Sequence, residues 1–144
     1  MDREGYGLVD ALVQASFTTM AVLNKAAADH DLSLTQLRVV GILADRRLRV
    51  SDLAAYLGLE KSTMSGLIDR AEKRGILTRL PSETDGRAVD VTLTPAGRAL
   101  ADRIHARVRA GLSPMTGGLT AAEKARLRGL LEKILMPNGS PRLP

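Results

Sequence analysis

Residues 53–67 read LAAYLGLEKSTMSGL. Leu53, Leu57, Leu59, Met64 and Leu67 are apolar, and the small Ala54 stands four residues before Gly58. Alanine there lets two helices cross at a steep angle, and glycine takes the positive φ of a tight turn without steric cost. This is the spacing of a helix-turn-helix, whose second helix enters the major groove of DNA. Following the chain to Gly75, Met64, Leu67, Ile68 and Ala71 fall at i, i+3, i+4 and i+7, one buried helical face. The opposite face carries Ser62, Ser65, Gly66 and Asp69. A merely solvated face favours Glu, Lys, Gln and Ala, since Gly inside a helix costs about 1 kcal/mol against Ala. Small groups suit a surface that base edges and phosphates must approach closely. The bland alternative is a surface helix pair in an all-α protein.

The flanking segments favour the first reading. Downstream, ILTRL (76–80) and AVDVTL (88–93) alternate in strand fashion around PSETDGR, whose Pro, Ser, Asp and Gly mark a hairpin connection. A hairpin after the second helix is the arrangement of a winged helix, and Arg87 near its tip would lie by the narrow minor groove, where negative potential concentrates. Thr94 then caps a helix with Pro95 at its first position, bearing the stripe Leu100, Ile104, Val108, with Gly111 as its expected stop. Thr120 and Glu123 form a capping box before a helix with Leu127, Leu130, Leu131 and Ile134 on one face. Upstream, residues 7–30 read as a long helix whose wide apolar face suggests contact on two sides. Ser33 and Gln36 make a second capping box, starting a helix to about Asp45. Arg46–Arg49 read as a basic loop, and 50–57 as the short first helix of the pair. The expected order is α-α-α-α-β-β-α-α: mainly α with a small β-hairpin wing.

Composition narrows the function. At 144 residues the chain reads as one soluble domain, with 44% hydrophobic and 26% charged residues. Tyr6, Phe17 and Tyr56 are the only aromatics, too few for a surface that stacks single-stranded bases. There is no cysteine, which removes disulfides, thiol nucleophiles, thiol redox sensing and cysteine metal sites. The acidic N-terminus MDREGYGLVDAL does not read as a signal peptide. No uninterrupted apolar run reaches the roughly 18 residues of a membrane span, so no membrane partner and a cytoplasmic location are expected. Net charge is +5 but spread thinly: residues 38–87 hold ten Lys/Arg against seven Asp/Glu.

The segments LSLTQLRVVGIL, VSDLAAYLGLEKSTMSGLIDRAEKRGILTR, DGRAVDVTLTPAG and LTAAEKARLRGLLEKI together resemble the MarR family of bacterial transcriptional regulators, from about residue 7 to 135. The resemblance implies a homodimeric winged-helix repressor of double-stranded DNA that binds a palindromic operator, with residues 1–32 and 95–135 as dimerisation helices and 33–94 as the DNA-binding domain; the turn-rich MPNGSPRLP, 136–144, reads as a disordered tail. It further implies a small aromatic or phenolic effector. KSTMSGLIDR looks like the recognition helix, with Ser62, Thr63, Ser65 and Gly66 facing the groove and Lys61, Arg70 and Lys73 nearer phosphates. Asp85 and Arg87 match the family's wing signature, Asp85 bracing the arginine by a charge-assisted hydrogen bond. Gly86 stands where the family often has another arginine, Glu60 at a usual Ser/Asp cap, and Ala71 at a common leucine. An effector pocket between dimer helices and winged helix would draw on Phe17, Met20, Leu37 and Val40, positions that read equally well as core. The alternative function is a winged-helix protein-interaction module without operator binding.

No other constellation carries chemistry. His30 and His105 lack metal-ligand spacing, TDGR and TGG are turns rather than phosphate loops, and Asp69 with Lys73 reads as an i, i+4 helix pair. Arg103, Arg107 and Arg109 read as a solvated helix face. No nucleophile–base or carboxylate pair has a signature, so neither an enzyme nor a cofactor is expected.

Overall fold

The computed structural model describes residues 3–136 and Leu143. Six helices and three short strands follow one another: α1 (Arg3–Asp29), α2 (Leu34–Leu43), β1 (Leu48–Arg49), α3 (Val50–Leu57), α4 (Lys61–Lys73), β2 (Leu77–Pro81), β3 (Val89–Leu93), α5 (Pro95–Thr116) and α6 (Ala121–Leu135). The helix starts lie where the caps place them. The Ser33 hydroxyl accepts from the Gln36 N–H at 3.1 Å, while the Gln36 side chain accepts from the Ser33 N–H at 2.9 Å. Thr120 and Glu123 repeat this box at α6, and Thr94 caps α5 through the Gly97 N–H at 2.9 Å. Each box satisfies two of the backbone donors that a helix start leaves unpaired.

The ends of α3 and α4 set the path between them. Gly58 takes φ 66° and Gly75 φ 73°. After α3, the Leu59 N–H returns to the Ala54 carbonyl at 2.9 Å; after α4, the Ile76 N–H returns to Ala71 at 3.0 Å. Both are Schellman closures that need a left-handed residue in between. Ala54, Leu53, Met64, Leu67, Ile68 and Ala71 are all buried, so the two short helices share one core with Val39, Leu43 and Val91.

The structure departs from the sequence reading in two elements, β1 and the end of α5. Leu48 and Arg49, expected in a loop, form β1 and pair antiparallel with Val91 and Asp90, giving a three-stranded sheet in the order β1-β3-β2. Two residues are too few for alternation to register, and the buried Leu48 is held by a strand 43 positions away. Helix α5 does not stop at Gly111 but runs to Thr116, through Pro114. A Cβ at Gly111 would stand 2.6 Å from Val22 Cγ1, so this glycine brings α1 and α5 into contact rather than ending a helix. By length and composition α1 passes for a membrane span, its most apolar 18-residue window within Gly5–Asp29 having a mean hydropathy of 1.3, although polar residues interrupt it. Finally, the expected disordered tail lies mostly outside the described residues.

Two apolar faces stay uncovered within the chain. Tyr6, Leu8, Val9 and Phe17 of α1 are well exposed, and so are Leu130, Ile134 and Leu135 of α6, a helix with no buried residue.

Candidate nucleic-acid interface

Helix α4 buries Met64, Leu67, Ile68 and Ala71 and turns the rest outward. Lys61, Ser62, Thr63, Ser65, Arg70 and Lys73 lie along it outside that buried face, with Gly66 among them. A Cβ on Gly66 would meet Arg70 Nη1 at 3.3 Å. Glu60 occupies the N-cap but makes no side-chain cap hydrogen bond, which leaves first-turn N–H groups facing solvent.

A residue the sequence reading missed holds α4 in place. Arg79 on β2 donates to Asp69 Oδ1 at 2.8 Å, to Glu72, and through Nη2 to both the carbonyl and the hydroxyl of Ser65 at 3.3 Å. Partial burial works against its charge, but the hydrogen bonds to Asp69 and Glu72 outweigh that, and its pKa is held above the ordinary arginine value. Asp69 was expected to pair with Lys73. It faces Arg79 instead, because a planar guanidinium can engage several acceptors at once where an ammonium offers a point charge.

The wing is anchored in the same manner. Arg47 donates to Asp90 at 2.8 Å, to Glu83 at 3.2 Å and to the Pro81 carbonyl at 2.6 Å. At the tip, Asp85 does accept a hydrogen bond, but from the Arg87 backbone N–H at 3.0 Å. The expected brace thus shapes the turn and leaves the guanidinium free. Among the described residues, the side chains of Lys61, Arg70, Lys73 and Arg87 enter no ion pair or hydrogen bond, and all four are exposed. Recognition-helix and wing cations are unpartnered, whereas Arg47 and Arg79 beneath them are fully engaged.

The candidate effector residues separate. Met20 and Leu37 line a hollow of about 290 Å³ with Leu23, Leu34, Thr35, Arg38, Leu57 and Leu59. Val40 is 2% exposed and belongs to the core, while Phe17 is 74% exposed and does not reach the hollow. Val40 follows the buried face of α2, and Phe17 sits on the uncovered face of α1. Arg38, not foreseen, is the one cation lining the hollow among the described residues; its guanidinium lies 5.9 Å from the Tyr56 ring centroid and donates to the Tyr56 hydroxyl at 3.1 Å.

With this geometry in view, comparison with known proteins is decisive. The family model described as MarR family matches residues 30–88. The multiple antibiotic resistance protein MarR of Salmonella typhimurium is 34% identical over 116 residues, covering 79% of this chain and 81% of its own length. The chain belongs to the MarR family. The homoprotocatechuate degradative operon repressor of Escherichia coli is 29% identical over 129 residues, 89% of this chain and 87% of that protein. Among solved structures, a cysteine-to-serine mutant of Escherichia coli MarR in complex with operator DNA superposes with a TM-score of 0.69 at 26% identity, covering 94% of this chain and all of that one. This MarR-family chain is a winged-helix transcriptional regulator: α3 and α4 are its helix-turn-helix, and the β2–β3 hairpin is its wing.

Proposed function

We propose that this protein is a ligand-responsive repressor that binds a palindromic operator as a homodimer in the cytoplasm. One observation carries the reading: Lys61, Arg70, Lys73 and Arg87 are left unpaired on the recognition helix and wing, while the arginines beneath are consumed in holding those elements. In this reading Lys61, Arg70, Lys73 and Arg87 contact phosphates, and Ser62, Thr63, Ser65 and Gly66 face the bases. Short hydroxyl side chains discriminate bases less sharply than a bidentate Arg or Asn, so groove shape and the wing share the specificity. The likeness to a MarR that binds operator DNA supports this assignment.

Two recognition helices must meet half-sites about one helical turn, roughly 34 Å, apart. The uncovered faces of α1 and α6 supply the dimer contact, with α5 behind them; this also accounts for an α1 apolar enough to resemble a membrane span. For the effector, the hollow beneath α1 and α2 offers apolar walls and one guanidinium. A small aromatic carboxylate fits that chemistry, and the repressor relative is named for an operon that degrades homoprotocatechuate.

Fluorescence anisotropy with the duplex flanking the gene, against a scrambled duplex at about 150 mM salt, tests the function. A preference of about a thousandfold or more is expected for a specific regulator. Equal, weak binding to both duplexes, with no operator recovered by genome-wide pull-down, would replace this reading with that of a protein-interaction module.

A further inference from the structure

The residue that caps the recognition helix does something its charged neighbours do not. Arg74 follows α4 directly, in the turn that Gly75 closes. Its Nη1 donates to the Asp31 carbonyl at 2.6 Å and its Nη2 to the His30 carbonyl at 2.9 Å. His30 and Asp31 are the two residues that follow α1 and close its end. Asp31 stands at φ 54°, and the Leu32 N–H folds back to Ala27 at 2.9 Å, so both carbonyls belong to a closed helix end. The negative end of the α1 dipole therefore meets the Arg74 guanidinium. One residue earlier, Asp29 takes a 2.6 Å bond from Arg107 of α5. The end of α1 is a junction at which α4 and α5 are both pinned by arginine. Apart from this fork, α4 packs mainly on α3 and β2, elements of the winged helix itself.

We infer that Arg74 is a positioning residue, the strut that sets the recognition helix at a fixed angle to the dimerisation helices and thereby sets the half-site spacing the dimer accepts. The inference rests on the dimeric DNA-binding reading above. Its physical basis is the two-point attachment. Two N–H bonds to successive carbonyls fix direction as well as distance between the end of α1 and the winged helix in which α3, β2 and Arg79 hold α4. Because α4 extends 13 residues from this point, about 20 Å at 1.5 Å per residue, a small change of angle here moves its far end in the groove. Arg74 is thus removed from the phosphate-binding set in which its neighbours Arg70 and Lys73 stand.

The chain has no cysteine, so Ser62→Cys gives one spin label per recognition helix and a direct intersubunit distance by pulsed electron resonance. In the otherwise unaltered chain a single narrow distribution is expected. Arg74→Ala should make it at least about twofold wider, and Arg74→Lys, which keeps the charge but not the fork, should fall between. The lysine variant also covers the case in which the alanine chain fails to fold, judged by circular dichroism. On duplexes whose half-site separation is changed by one base pair, the unlabelled parent should discriminate by about tenfold and Arg74→Ala by markedly less. Unaltered distance distributions and spacing preference in both variants would overturn the inference while leaving the repressor reading intact. Absence of any intersubunit distance in the parent would overturn both.

Discussion

Replacing Arg87 with alanine tests the interface at its most exposed cation, and its size follows from counting charges. Each protomer presents Lys61, Arg70, Lys73 and Arg87 unpaired on the α4 and wing face, so a dimer that docks both copies neutralises about eight phosphates. Each neutralised phosphate releases counterions, and log K falls against log salt with a slope near −0.9 per contact, about −7 in total. Between about 50 and 200 mM salt the affinity should then drop by about ten-thousandfold. Arg87→Ala removes two contacts per dimer, so the slope should relax to about −5 and the drop to about a thousandfold. Thermal stability should hardly change, because an exposed side chain without partners is worth no more than about 0.5 kcal/mol. Anisotropy titrations at several salt concentrations measure the slope, with Arg103→Ala on α5 as the control that should leave it unaltered. A slope for Arg87→Ala equal to that of the parent would refute the placement of the wing at the phosphate backbone. A parent slope shallower than about −3 would refute the docked dimer as a whole.

Other expectations follow from single contacts. Gly58→Ala forces a side chain into a φ of 66° and should cost about 1–2 kcal/mol, lowering the melting temperature by several degrees; an unchanged melt would mean the turn tolerates another conformation. Arg38→Met should leave operator affinity near its parent value while abolishing release by an aromatic carboxylate such as salicylate. Retained release would move the effector elsewhere. Glu123 is held below its ordinary value near 4.5 by the hydrogen bonds it exchanges with Thr120. A depressed carboxylate contributes stability above its unfolded pKa and loses it as pH falls through the folded value. Helicity of the parent should therefore decline more steeply below about pH 4.5 than that of Glu123→Gln, which keeps the acceptor without the titration. Superimposable acid titrations by circular dichroism would show that the α6 cap carries no such linkage.

Local chemistry was legible and long-range pairing was not. Ser33 with Gln36, Thr94 before Pro95, and Thr120 with Glu123 announce helix starts because capping is settled within four residues. Gly58 and Gly75 announce ends for the same reason. The buried face of α4 was readable from its period alone. By contrast, β1 was invisible because two residues carry no periodicity and their partner lies after α3, α4 and the wing. Gly111 misled because a glycine that admits a neighbouring helix looks, in sequence, like one that ends its own. The outward face of α4 was legible as small and hydroxyl-rich, yet Arg47, Arg74 and Arg79 were not distinguished from the cations around them. Nothing in an arginine's neighbours tells which carboxylate or carbonyl it will meet 34 or 43 positions away.

That indistinctness has a physical content of its own. The chain's excess charge is small, +5 in all, and by itself says little about an anionic partner. What matters is which cations the fold has already used. Arg47 is spent on Asp90 and Glu83, Arg79 on Asp69 and Glu72, Arg107 on Asp29, and Arg74 on the end of α1. Each joins separate elements of the fold, and the first two lie under the wing and the recognition helix. Their removal from the tally leaves Lys61, Arg70, Lys73 and Arg87 as the free charge of the face, and the free charge is what phosphates can use. The paired arginines contribute by a different route, since a guanidinium with its donors satisfied holds a helix or strand at a fixed orientation. A substitution in the free set should therefore change the salt slope and little else. One in the paired set should change geometry or stability while leaving the number of neutralised phosphates nearly the same, and the two classes can be told apart in a single series of titrations.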